Sequence, residues 1–111
     1  HPATDPERST FLCACPGREV FLQEFAQAGL DPRAYGWRGI RTARYTYVID
    51  AGYAPQKNPP VQRLLYDLEA DPLQLHPTVL HSADEQPQAA LLEQRVAQWL
   101  RQSGDGFLCH L

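Results

Sequence analysis

No run of apolar residues in this chain approaches the roughly 20 that a membrane-spanning helix needs, so no membrane partner is expected. Positive charge is also scarce. Ten Lys and Arg stand against thirteen Asp and Glu, a formal net charge of −3. A domain that wraps a phosphate backbone carries a strong positive balance, which argues against nucleic acid as a partner. There is no glycine-rich phosphate loop and no Gly-x-Ser-x-Gly turn to present a nucleophilic serine. Cysteines number only three, Cys13, Cys15 and Cys109, and an odd count does not close a disulfide framework. They read as small buried hydrophobes. The opening stretch His1-Pro2-Ala3-Thr4-Asp5-Pro6 has no charged region followed by an apolar one, so no signal peptide is read there. That fits a cytoplasmic protein, and equally a C-terminal piece of a periplasmic or secreted one.

The 111 residues suffice for one domain, since domains run about 100–150 residues. Residues 1–10, polar and proline-bearing, read as a flexible leader, and 11–111 as a single α+β domain. "TFLCAC" is a short apolar, β-prone run that stops at Pro16-Gly17. "EVFLQEF" is ambiguous: Val20, Phe21, Leu22 and Phe25 fit a fully buried strand, and equally a helix ending at Gly29 with Phe21 and Phe25 four apart. "WRGIRTARYTYVID" is β-branched and aromatic. It predicts a hairpin of 37–42 against 45–50 that reverses at Thr42-Ala43-Arg44. "VQRLLYDLE" supplies a strand over 63–68, and Asp71-Pro72 opens a turn.

The last element is the clearest. Leu92, Val96, Trp99 and Leu100 recur at helical spacing over about 85–103, with Leu91 beside them and Glu93, Gln94, Gln98 and Arg101 away from the stripe. Asp84 suits the N-cap, Pro87 the first turn and Gly104 the C′ position. About four short-connected strands and a covering helix give an antiparallel α+β two-layer sandwich.

Chemistry is sparse. His76 and His81 have no evident nucleophile or acid partner. Cys13, Cys15, Cys109 and His110 supply four nitrogen or sulfur ligands, the structural-zinc number, but at unusual spacing. The densest polar feature is "YGWRGIRTARYTYV", with Arg38, Arg41 and Arg44 among Tyr35, Trp37, Tyr45 and Tyr47. On a strand, Arg38 shares a face with Ile40 and Thr42, while Trp37, Gly39 and Arg41 share the other. One arginine on each face suits a hairpin with one face on its own core and the other against a neighbour. Its alternative use is an anion site, Arg38, Arg41 and Arg44 with the nearby tyrosines binding a sulfated glycan.

Three blocks in this order resemble the C-terminal region of type I sulfatases. Trp37, Arg38, Arg41, Thr42, Tyr45 and Tyr47 match a Trp-Arg-x-Val-Arg-Thr-x-x-Tyr-Lys-Tyr hairpin. Leu65, Tyr66, Asp67, Leu68, Asp71 and Pro72 match a Leu-Tyr-Asp-Leu-x-x-Asp-Pro strand and turn, and Trp99-Leu100 a closing helix. Thr46 replaces the family's usual lysine, and Leu73-Gln74-Leu75 departs after Asp71-Pro72. The resemblance implies a strand over 19–25. It also implies that formylglycine, formed at a Cys-x-Pro-x-Arg or Ser-x-Pro-x-Arg site, and calcium belong to a catalytic domain absent from this chain. "ACPGR" has the Pro-x-Arg half with Ala14 in the nucleophile position and Cys15 one place out of register. The expectation is a non-catalytic accessory subdomain with no cofactor of its own. Its partner is a sulfatase catalytic domain, or a second copy when isolated. Trp37, Arg38, Arg41, Arg44 and Tyr47 are its interface or substrate-bordering residues.

Overall fold

The computed structural model describes residues 9–111. The expected leader over 1–10 therefore lies outside the described residues except for Ser9 and Thr10, and Thr10 already belongs to a strand. Five strands form one antiparallel sheet in simple sequence order: β1 Thr10–Ala14, β2 Gly36–Arg41, β3 Tyr45–Gly52, β4 Gln62–Asp67 and β5 Thr78–Leu80. The fold is α+β, as expected. The β2–β3 hairpin reverses where the sequence places it, and Thr42 closes the turn. Its N–H donates to the Tyr45 carbonyl at 2.8 Å, and its hydroxyl accepts from the Tyr45 N–H at 3.0 Å.

One expected strand is a helix. Residues 19–25 begin α1, Glu19–Ala28. Phe21 and Phe25 fall on neighbouring turns, and Gly29, at φ 72°, ends the helix in the left-handed region, where glycine is favoured. Its N–H donates to the Ala26 carbonyl while Leu30 N–H reaches back to Phe25. The resemblance pointed the wrong way here: the sheet position beside β2 is filled by β1, and 19–25 satisfies its backbone within a helix instead. Of α1, Phe25 is buried, its ring 4.8 Å from that of Tyr35.

The long helix α2, Pro87–Ser103, lies on one face of the sheet. Ala89, Leu92, Val96 and Leu100 meet Ile40, Tyr47, Ile49, Leu65 and Leu80 in a single apolar cluster. Phe11 of the edge strand stacks on Trp99, ring centroids 4.7 Å apart. Gly104 at φ 67° ends α2 as expected. Asp84, expected as its cap, lies instead in a 3-10 turn over Ala83–Glu85, and Gln86 takes the N-cap with Pro87 next. The apolar tail "GFLCHL" is not a strand: Gly106–His110 forms a 3-10 turn that buries Phe107. Gly36 is fixed by contact, for at φ 86° an added Cβ would sit 1.9 Å from the Ala14 carbonyl oxygen of β1. No helix of the described residues is long and apolar enough to cross a membrane.

Candidate functional site

Alternation along the strands divides the hairpin residues between two faces. Arg38, Ile40, Tyr47 and Ile49 point toward α2, and Trp37, Gly39, Arg41, Thr46, Val48 and Asp50 toward the opposite, open face. Each arginine of the hairpin meets a different fate.

Arg38 is 1% exposed, and every nitrogen of its guanidinium is engaged. Nε and Nη2 donate to the two carboxylate oxygens of Asp105 at 2.8 and 3.1 Å, a bidentate fork. Nη2 also reaches the Arg33 carbonyl at 2.7 Å, and Nη1 the carbonyls of Trp37, Tyr35 and Ala14 at 3.0, 3.2 and 3.4 Å. The Phe107 ring lies under the group, 4.6 Å from its central carbon. Burial pushes the Asp105 carboxyl up, but the Arg38 hydrogen bonds and charge, with the Phe107 N–H, outweigh this and hold it below its usual range. Arg38 is thus a rivet joining β1, β2, the 32–34 turn and the chain's last turn.

Arg44 is exposed and held by Asp67 through two hydrogen bonds of 3.2 and 3.1 Å, with Glu69 3.6 Å away. Its guanidinium also lies over the Tyr45 ring at 5.2 Å. Arg41 is exposed on the open face, and its side chain makes no hydrogen bond or ion pair among the described residues.

Tyr47 is wholly buried, and its hydroxyl donates to Glu93 Oε1 of α2 at 2.7 Å. Arg63 of β4 grips the same carboxylate at 2.6 and 3.3 Å. Burial and then the neighbouring Glu93 drive the Tyr47 hydroxyl far above its ordinary range, so it stays protonated. Glu93, placed away from the apolar stripe by sequence, in fact closes a clasp between helix and sheet. Neither it nor Asp105 stands out in the sequence, since a carboxylate that will be buried carries no local signal.

The open face is the remaining feature. Its middle row crosses Leu12, Gly39, Val48, Leu64 and Val79, apolar throughout. Val79 is 55% exposed, Leu12, Val48 and Leu64 are half-buried, and Gly39 is buried. The Trp37 ring leans along Gly39, where an added Cβ would meet it at 3.7 Å. One flanking row holds Arg41 opposite Thr46, the other Trp37 opposite Asp50. The Thr46 hydroxyl is buried without a hydrogen-bond partner among the described residues.

The cysteines depart from expectation. Cys13, Cys15 and Cys109 are all free and exposed rather than buried, because β1 is an edge strand and Cys109 lies in the final turn. Cys15 approaches the Arg33 carbonyl at 3.7 Å. His110, the fourth candidate zinc ligand, instead donates through Nε2 to the Ala34 carbonyl at 2.8 Å, with its ring edge-on to Tyr35 and Phe107. Among the described residues no three or more His, Cys, Asp or Glu side chains are grouped to hold a metal ion.

No family model matches the chain, and no curated protein matches it.

Proposed function

We propose that the chain is a non-catalytic accessory subdomain of a sulfatase-type sulfuric ester hydrolase, docking on a catalytic domain through the open face of its sheet. The observation that carries the docking is that face itself: an apolar row across five strands, flanked by an arginine without a partner among the described residues. Single apolar side chains on a surface need no explanation, but a contiguous row across a whole sheet marks an interaction surface. The family assignment is supported by the three sequence blocks, which fall on the hairpin, on β4 with its turn, and on α2. Catalysis resides in the partner domain, which would supply the formylglycine and the calcium. Arg41 and Trp37 are the face's polar and aromatic contacts, while Arg38, Arg44 and Tyr47 hold it in shape.

The coding sequence upstream of His1 is the test. A Cys-x-Pro-x-Arg or Ser-x-Pro-x-Arg site in the same reading frame is expected, and a frame without one overturns the assignment. The isolated chain, given a chromogenic aryl sulfate and calcium, is expected to show no turnover above a boiled control. Heparin titration separates the competing use of the hairpin. Saturable, salt-sensitive binding lost in Arg41→Ala would reassign the chain as an independent sulfated-glycan module.

A further inference from the structure

The two ends of the open face carry opposite charge. Arg41 and Thr46 form the row beside the β2–β3 turn, and Trp37 and Asp50 the row at the other end, with Leu12, Val48 and Leu64 between. Asp50 spends one carboxylate oxygen on the Gly52 N–H at 2.8 Å, while Arg41 has no partner among the described residues. A surface whose two ends are complementary to each other fits a second copy of itself.

We propose that the isolated chain covers this face with a second copy, sheet against sheet, about a two-fold axis running across the strands above Val48. Such an axis reverses strand direction between copies but keeps strand order, so β2 lies over the partner's β2 and β3 over the partner's β3. The apolar middle row then lands on itself. Arg41 comes over the partner's Trp37 and, one strand across, beside the partner's Asp50. Packed sheets stand about 10 Å apart and neighbouring strands about 4.8 Å, a gap that an arginine and an aspartate reaching from opposite sides can bridge. Arginine suits this place because its flat group pairs with a carboxylate while stacking on an aromatic ring. The same operation sets the partner's Asp50 over Thr46. Every contact occurs twice by symmetry.

The inference rests on the reading of this face as a docking surface left uncovered. Its failure would leave the family assignment standing, since that turns on the upstream coding sequence. Sedimentation equilibrium of the full chain at micromolar concentration should give about twice the 12.5 kDa chain mass. Arg41→Glu and Asp50→Arg each set like charges together twice, and each should weaken the dimer at least about tenfold. Both positions lie outside the core cluster, and thermal melts would confirm that the variants fold. Mixing the two variants should restore association, because every contact in the mixed dimer then joins opposite charges. A wild-type mass of one chain across a tenfold dilution overturns the proposal. So does a dimer that survives both reversals, which would place the contact at the β1 edge, or a mixture that stays monomeric.

Discussion

Arg38 takes a full charge to a place where its side chain is 2% exposed. A buried guanidinium is tolerable only when its hydrogen bonds are satisfied and its charge is matched, and Asp105 does both. Removing Asp105 strands that charge, so Asp105→Ala should cost about 3–5 kcal/mol, measured by chemical denaturation at neutral pH. The pair also fixes a pH dependence. Asp105 has a lower pKa folded than unfolded, so the unfolded chain takes up its proton first as the solution is acidified. Its contribution is full above the ordinary carboxylate value of 3.8 and is lost as the pH falls through the lower folded value. Stability should therefore begin to fall as the wild type is acidified toward about pH 4, and Asp105→Asn should flatten that part of the profile. An unchanged acid limb would mean other carboxylates govern it.

At the level of elements, α2 and the sheet hold each other. Leu100, wholly buried, stands where the helix meets the sheet and the last turn, in one cluster with Ile40, Val96 and Phe107. Leu100→Ala should cost about 2–5 kcal/mol through lost contacts and a residual cavity. That is a large share of a stability on the order of 5–15 kcal/mol, so the melting temperature should fall by many degrees. A melt unchanged from wild type would mean the helix carries no core at that position. The phase of α2 was legible because its apolar residues recur at helical spacing over 17 positions. Helix α1, 10 residues long with only Phe25 buried, gives no such repetition, and strand and helix readings fit it equally.

On the scale of the whole molecule, the sheet is open in two ways: a face opposite α2 on which Val79 and Arg41 are exposed, and two edges at β1 and β5. The β1 edge is where Cys13 sits and Cys15 follows, and both are exposed, as is Cys109. A native thiol titration should label all three cysteines at rates close to those of the unfolded chain. Slow labelling of Cys13 or Cys15 alone would mean that edge is covered in solution, by a second copy or by another part of the chain.

The sequence by itself determined the α+β class, the β2–β3 hairpin, β4 and the phase of α2, because each is written in local periodicity and turn chemistry. It also divided Arg38 from Arg41, since alternation on a strand leaves no other choice. Only the tertiary structure decided what the arginines do. Asp105 is 67 residues from Arg38, and Glu93 is 46 from Tyr47 and 30 from Arg63, so these pairings exist only once the helix has docked. The same holds for β1, which takes the place beside β2 while residues 19–25 form a helix. Backbone hydrogen bonds must be satisfied somewhere, and which segment wins the free edge of a sheet is settled by the whole chain at once.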